Sequence, residues 1–321
     1  MNRGLILPTI LMLCLTYSRA STLKMPTGLA VASNGDLWVG DDRSLFKFTA
    51  AQLERSSDLK PDTIKPGVVI GSNGSSLNLP GSLVFDAAGN LWASNYSGNS
   101  LVKFSAKQLG ASGTPSPNVT VRSISLEQAN ALAFDATGGA WVASAGKNLL
   151  LYFSSAQLEK GGTLEPSKSI RSVSGSLNAP AGLSFDTQGR LWVSNYGANT
   201  LLRYGAKQLE QAGEAQPEVT VRAKSGSLAG AGLIAFDVKG GLWVSNFDGN
   251  TIVRFAPESL GISSDPAPAV VISKNLSNPN QIVPTRDGGL WVSSSGSSSV
   301  LRYTADQLVS SGSPTPKLTL R

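Results

Sequence analysis

The sequence contains no histidine and a single cysteine among its 321 residues. Without histidine, a Ser-His-Asp relay, a histidine general base and a His-ligated zinc site are all excluded. The cysteine, Cys14, lies in an apolar N-terminal segment, so a chain cleaved after that segment also lacks a thiolate nucleophile. The metal chemistry that remains uses oxygen ligands, in which Asp, Glu and Asn hold a hard divalent ion such as Ca²⁺.

Residues 1–20 have the pattern of a secretory signal peptide. A short basic start precedes an almost wholly apolar stretch over residues 4–16, and Ser18 and Ala20 are the small residues that a signal peptidase reads. We therefore expect cleavage after Ala20 and a secreted or periplasmic protein. Cys14 follows a bulky leucine, which makes a poor lipobox, and lipid attachment there is the alternative. No later segment is long and apolar enough to span a bilayer.

The charge of the chain is mild. The full sequence has 27 Lys plus Arg against 21 Asp plus Glu, and loss of the two signal-peptide arginines leaves 25 against 21, a net charge of +4. Basic residues recur at one position of each proposed third strand, which we interpret as a solvated outer face, with a phosphate-binding stripe as the alternative. These residues are Lys47, Lys103, Arg203, Arg254 and Arg302. No basic cluster interleaved with aromatic residues supports nucleic-acid binding.

Six tryptophans divide the chain into six units. They are Trp38, Trp92, Trp141, Trp192, Trp243 and Trp291, separated by 54, 49, 51, 51 and 48 residues. A period of about fifty residues with several short strands per unit is typical of a β-propeller, whose units bury their faces only against each other. We predict an all-β fold, a six-bladed β-propeller that forms a single domain over residues 21–321.

The residue pattern within each unit predicts four antiparallel strands. A glycine lies three residues before every tryptophan, and an aspartate lies six before it in the middle four units. The pattern predicts a hairpin in which the carboxylate binds turn amides and the glycine takes a positive φ. An aromatic residue ends a third strand, and a leucine five residues later indicates one short helical turn. A Gly/Pro-rich stretch then leads to a fourth strand.

The fourth unit resembles an NHL-type repeat and, more loosely, the SMP-30/gluconolactonase and streptogramin-lyase superfamily. The matching residues are Phe185-Asp186-x-x-Gly189-x-Leu191-Trp192-Val193-Ser194-Asn195 and Asn199-x-Leu201-x-Arg203-Tyr204. The resemblance implies a six-bladed propeller but no single activity, because NHL-like propellers include enzymes, protein-binding modules and RNA-binding modules. The catalytic histidine of streptogramin lyases has no counterpart in this chain.

Two asparagines are candidate metal ligands through this resemblance. In SMP-30-type enzymes a metal-binding asparagine opens an inner strand, and the matching positions here include Asn130 and Asn280. They fall in units three and six, which face each other across a six-membered ring. None of the other four equivalents is acidic. The two residues either line the channel as turn residues or contact a ligand or a calcium ion.

The loop after each tryptophan strand carries the candidate ligand-binding residues. Units two, four and five have an asparagine followed by an aromatic residue, giving the pairs Asn95 and Tyr96, Asn195 and Tyr196, and Asn246 and Phe247. We interpret the asparagines as turn formers that satisfy loop amides. The aromatic rings either pack against the neighbouring blade or form a platform for a sugar ring or a peptide. Further asparagines close these loops at Asn99, Asn148, Asn199 and Asn250.

The sequence therefore predicts a secreted or periplasmic binding module whose ligand, an extracellular glycan, peptide or protein, binds at the channel mouth. We expect a monomer without a cofactor. The alternative is a divalent-metal-dependent, lactonase-like hydrolase of the SMP-30/gluconolactonase type, and a third reading is a structural extracellular protein. Enzymatic activity stays open, with the missing histidine and cysteine weighing against it.

Overall fold

A computed structural model shows six antiparallel sheets, each with four principal strands, which confirms the predicted all-β six-bladed propeller. The structure describes residues 23–55, 64–173, 175–211, 213–224 and 226–321. The predicted signal peptide and Cys14 lie outside these residues, and both stay predictions. Within the described part of the chain, no helix is long and apolar enough to cross a membrane.

The strands follow the chain blade by blade, from the inner edge of each blade to the outer edge. Blade 1 holds β1 (Pro26–Val31), β2 (Leu37–Asp41), β3 (Ser44–Phe48) and β4 (Val68–Gly71), and blade 2 holds β5 (Pro80–Phe85), β6 (Leu91–Asn95), β7 (Ser100–Phe104) and β8 (Val119–Arg122). Blade 3 holds β9 (Ala129–Phe134), β10 (Ala140–Ser144), β11 (Leu149–Phe153) and β13 (Lys168–Arg171). The two-residue strand β12 (Gly162–Thr163) belongs to the outer edge of blade 2.

The remaining blades repeat this order. Blade 4 holds β14 (Pro180–Phe185), β15 (Leu191–Asn195), β16 (Thr200–Tyr204) and β18 (Val219–Val221), and blade 5 holds β19 (Ala231–Phe236), β20 (Leu242–Asn246), β21 (Thr251–Phe255) and β22 (Val270–Ile272). Blade 6 holds β23 (Pro279–Pro284), β24 (Leu290–Ser294), β25 (Ser299–Tyr303) and β26 (Leu318–Leu320). The two-residue strand β17 (Gly213–Glu214) lies on the outer edge of blade 3.

The hairpin between the first two strands of a blade is built as the sequence predicts. In blade 4, Asp186 Oδ1 accepts hydrogen bonds from the backbone amides of Gln188 and Arg190, at 2.9 and 3.0 Å. Gly189 has a φ of +72°. The other carboxylate oxygen accepts from the indole nitrogen of Trp192 at 3.1 Å, a bond that recurs in blades 2 and 5. One aspartate thus ties the turn to the tryptophan that packs between blades.

The tryptophans lie in the hydrophobic clusters between neighbouring blades. Trp192 is 1% exposed and packs with blade-5 residues that include Ile234 and Val244. Its ring meets that of Phe236 edge-on, with 6.1 Å between centroids. Large aromatic residues stabilise such a junction because each removes a large apolar area from water.

The basic residues of the third strands are not solvated as expected. Lys47, Arg203, Arg254 and Arg302 have side chains only 11–18% exposed. All but Arg254 lie over the tryptophan of their own blade, 5.5–5.8 Å from the ring centroid. A cation over an indole face gains cation-π attraction, and its methylene stem covers apolar surface. These positions are therefore part of the packing between blades.

Short helical segments follow the third strands, as predicted. They are α1 (Ala50–Glu54), α2 (Ser155–Lys160), α3 (Ala206–Gln211) and the tighter 3-10 turns Gln108–Gly110, Pro257–Leu260 and Ala305–Leu308. Thr49 and Ser154 cap the first two helices. The side-chain hydroxyl of each accepts a hydrogen bond from the backbone amide of the glutamine three residues later. Beyond these segments the chain reaches back to the previous blade, where β12 pairs in parallel with β8 and β17 with β13.

The ring closes without strand exchange. Blade 1 and blade 6 are each continuous in sequence, and the junction is a cluster of buried residues that includes Leu29, Trp291 and Leu320. Ser293 Oγ donates to the carbonyl of Thr27 at 2.8 Å, which adds a hydrogen bond between the two blades. Closure thus depends on side-chain packing and side-chain hydrogen bonds between blades 6 and 1.

Candidate functional site: the channel mouth

One face of the ring, called the mouth here, carries the loops between second and third strands and the loops that lead into each inner strand. The first set, the mouth loops, comprises residues 42–43, 96–99, 145–148, 196–199, 247–250 and 295–298. Backbone hydrogen bonds join the two sets: Tyr196 N donates to Ala179 O at 3.1 Å and Phe247 N to Gly230 O at 2.8 Å. The opposite face carries the hairpins with the repeated aspartate and is called the hairpin face.

The three predicted asparagines at the base of the mouth loops are buried. Asn95, Asn195 and Asn246 are 0–1% exposed. Asn195 Nδ2 donates to Ser176 O at 2.8 Å and to Thr200 Oγ1 at 3.0 Å, while its Oδ1 accepts from the backbone amide of a lead-in residue. The other two make the equivalent three bonds. Their amide groups are engaged within the loops, so these side chains shape the mouth.

The asparagines that close the loops join neighbouring blades. Asn99, Asn148, Asn199 and Asn250 have φ between +47° and +55°, the left-handed region that asparagine tolerates. Each side-chain oxygen accepts from a backbone amide at the start of the following blade, at 2.6–2.8 Å. The predicted loop-closing role is confirmed, and the bonds hold blades 2 to 6 together along the rim.

The three predicted aromatic residues are partly exposed at the mouth. Tyr96, Tyr196 and Phe247 each have intermediate exposure, unlike the buried asparagines beside them. Burial raises the pKa of Tyr96. Burial also raises the pKa of Tyr196, and the Tyr96 phenol is close enough to add to that rise. Between them, blade 3 carries the small residue Ala145 at the equivalent position. Both phenols therefore lie at the mouth, partly withdrawn from solvent.

Asp248 joins this group, although the sequence analysis did not single it out. The Tyr196 hydroxyl donates to both of its carboxylate oxygens, at 2.8 and 3.1 Å, and this also raises the Tyr196 pKa. The carboxylate lies over Gly230, where a Cβ would fall 2.5 Å from Asp248 Oδ2. Equivalent positions in the other blades include Leu79 and Ala179. Blade 5 is the blade with a glycine at this position, and that difference is the sequence signal that could have revealed the contact.

Asn130 and Asn280 lie on inner strands of blades 3 and 6 and are partly exposed. Their side-chain amides make no hydrogen bond to any residue that the structure describes, so both are free for a ligand. Over the same residues, no group of three or more His, Cys, Asp or Glu is placed to hold a metal ion. A cation here would depend on amide and carbonyl oxygens.

A neutral side chain ties the inner strands on one side of the ring. Gln281 Oε1 accepts from the backbone amides of Leu29 and Leu83, at 2.7 and 3.0 Å, so one residue of blade 6 bonds to blades 1 and 2. Its amide nitrogen donates to Leu83 O at 3.3 Å and to Ser82 Oγ at 3.4 Å. An uncharged amide therefore holds this part of the channel wall.

Comparison with known proteins identifies the fold. No family model and no curated protein matches the chain. A streptogramin B lyase structure is similar with a TM-score of 0.61 and 14% identity, covering 90% of this chain and 82% of that one. Virginiamycin B lyase from Staphylococcus aureus gives 0.58 and 13%, covering 88% and 82%. A luciferin-regenerating enzyme gives 0.59 and 14%, covering 86% of each. At such identities the likeness shows a shared six-bladed propeller fold.

Proposed function

We propose that this chain is an exported binding module whose ligand, an extracellular glycan, peptide or protein, binds at the mouth. The observation that carries the proposal is a contrast at the start of the mouth loops in blades 2, 4 and 5. Asn95, Asn195 and Asn246 use their polar groups inside the loops, whereas the following aromatic rings stay partly exposed. Rigid aromatic rings supply contact area at a low cost in conformational entropy.

The loops that carry the rings are fixed before a ligand arrives. Tyr196 is held by its hydrogen bonds to Asp248, and the loop-closing asparagines anchor the same loops to the next blade. Preorganisation of this kind favours binding because less entropy is lost when the complex forms. Glu127 and Lys147 at the same face form an ion pair at 2.9 Å, which limits the net charge that a ligand meets.

A screen of immobilised glycans and peptides tests the proposal. Wild-type protein is compared with Tyr96→Ala/Tyr196→Ala/Phe247→Ala and with Val238→Ala, a control at an exposed apolar residue on the hairpin face. We expect wild type and the control to retain the same ligands and the triple variant to lose them. Equal binding by all three proteins would move the functional surface elsewhere. A wild-type protein that binds nothing in the screen would favour the structural role.

The second candidate function is a lactonase-like hydrolase that depends on a divalent ion. The free amides of Asn130 and Asn280, on blades that face each other, favour it. The chain has no histidine, so such an enzyme would need oxygen ligands. Under the binding-module proposal, millimolar Ca²⁺ leaves the melting temperature unchanged. A rise that Asn130→Ala/Asn280→Ala abolishes would favour the hydrolase.

Export is a separate part of the proposal and has its own test. It is supported by the pattern of residues 1–20. N-terminal sequencing of protein recovered from a secretion-competent host should begin at Ser21. A product that begins at Met1 would contradict export by a cleaved signal peptide. Lipid attachment would instead leave Cys14 as the modified first residue.

A further inference from the structure

A cavity lies on the hairpin face, at the junction of blades 4 and 5. Its volume is about 390 Å³. Two arginines of blade 4, Arg190 and Arg203, line it together with the aromatic rings of Trp192 and Phe236 and the side chain of Leu260. It therefore combines guanidinium groups with an apolar wall.

The equivalent arginines of blades 5 and 6 show what is different in blade 4. Arg254 Nε lies 2.6 Å from Asp237 Oδ2, and Arg302 pairs with Asp287 at 2.6 Å. The side chain of each arginine passes directly over a glycine on its way to the aspartate. At Gly241, an added Cβ would fall 2.1 Å from the Arg254 guanidinium, and Gly289 is similarly close to Arg302 at 2.2 Å.

Blade 4 has an arginine in place of that glycine. Arg190 Nε pairs with Asp186 at 2.7 Å, so the aspartate that would hold Arg203 is already taken. Arg203 Nε is buried and makes no hydrogen bond to any residue in the described ranges. Arg203 forms an ion pair with Glu218 instead, with 3.4 Å between Nε and the carboxylate and no hydrogen bond, and another guanidinium nitrogen makes a long bond of 3.4 Å to Leu260 O.

To the described residues, Arg203 makes one long hydrogen bond where Arg254 and Arg302 each make two, so its guanidinium has donors left for an acceptor in the cavity. We propose that this cavity binds a small monocarboxylate with a flat apolar body. The carboxylate accepts from Arg203, and the apolar body packs against Trp192, Phe236 and Leu260. Charge-assisted hydrogen bonds from a guanidinium fork suit a carboxylate in geometry and in strength.

The charge around the cavity favours a monoanion over a polyanion. Asp186 and Asp237 also line it. Both have a pKa below the usual range, because hydrogen bonds from their own turns and from Arg190 and Arg254 outweigh burial, and they stay ionised at neutral pH. Their oxygens are occupied by these donors, but their charge disfavours a polyanion.

Calorimetric titration with benzoate tests the site, with benzamide as the uncharged control of the same shape. We expect wild type to bind benzoate and not benzamide. Arg203→Gln should weaken benzoate binding about tenfold or more, because it removes a charge-assisted hydrogen bond. Arg302→Gln removes the blade-6 equivalent, which is hydrogen-bonded to Asp287 and does not line this cavity, and should leave benzoate binding unchanged.

Two changes at Arg190 separate the proposed cause from a simple loss of charge. Arg190→Gly opens the route that Arg254 and Arg302 use, so Arg203 should pair with Asp186 and benzoate binding should fall as in Arg203→Gln. Arg190→Gln removes the same charge but keeps a side chain in that route, so benzoate binding should fall less than in Arg190→Gly. Benzoate binding that is absent in wild type, equal to benzamide binding, or unaffected by both Arg203→Gln and Arg190→Gly would overturn the proposal. The Arg190 variants keep the test decisive if Arg203→Gln fails to fold.

Discussion

The hairpin face and the mouth face belong to the same six blades but vary in different ways. On the hairpin face the glycine and the tryptophan recur in every blade and the aspartate in the middle four. At the mouth, the residue that follows the buried loop residue differs from blade to blade: Asp42, Tyr96, Ala145, Tyr196, Phe247 and Ser295. Packing of blade on blade explains the repetition, because every junction has to be filled. Packing does not explain the variation, which fits the proposed binding surface at the mouth.

The largest effect is expected at a repeated position in the core. Trp192→Ala should lower the free energy of unfolding by about 3–5 kcal/mol, the range for truncating a buried large aromatic residue. Tyr196→Ala at the mouth should cost under about 1 kcal/mol, because its ring is partly exposed. Denaturant unfolding of both variants measures the difference. Similar losses would mean that the mouth aromatic residues are as structural as the tryptophans.

A smaller effect is expected from the turn itself. Gly189→Val should destabilise by about 1–3 kcal/mol, because a β-branched residue is strained at a φ of +72°. No atom lies within 4 Å of an added Cβ there, so the loss would reflect backbone strain alone. Lys207→Ala, on an exposed helical segment, should change stability by no more than about 0.5 kcal/mol. Thermal melts with equal midpoints would refute this account of the turn.

The smallest effect concerns acid. The folded-state pKa of Asp186 is lowered, so its contribution to stability is fully present above the ordinary pKa of 3.8 and is lost as the pH falls through the folded-state value. Asp186→Asn should therefore be less stable than wild type at neutral pH, and the difference should narrow on acidification below pH 4. Melting temperatures across this range check the sign. A difference that widens in acid would contradict the assignment.

The hairpin face could be predicted from the sequence in detail because its interactions lie within one blade. The Asp-x-x-Gly turn, the aromatic end of the third strand and the capped helical segment each involve residues close in sequence. A fixed spacing therefore repeats each of them in most or all of the six units. The buried role of Asn195 was predictable for the same reason, since its partners Ser176 and Thr200 lie within 19 residues.

Several contacts between blades could not be predicted from the sequence, because they occur once and do not recur at the spacing of the repeat. Gln281 bonds to Leu83 across 198 residues, and Tyr196 bonds to Asp248 across 52. The unusual pairing of Arg203 follows from a single change at position 190, which looks like an ordinary surface arginine in the sequence. Gln281, Asp248 and the arginine at position 190 each differ from the residue at the equivalent position of the other blades. A comparison of the blades therefore identifies the unusual residue but not the residue that it contacts.

The measurement that tests the central claim most directly compares two triple variants in two assays. One variant is Tyr96→Ala/Tyr196→Ala/Phe247→Ala, and the other is Asn95→Ala/Asn195→Ala/Asn246→Ala. The aromatic variant should keep a near wild-type melting temperature and lose affinity for a ligand found in the screen, by about 1–3 kcal/mol for each ring. The asparagine variant should melt well below wild type, because each change leaves buried loop groups without partners. An aromatic variant that unfolds, or that binds as wild type does, would contradict the proposal that the mouth rings form the binding surface.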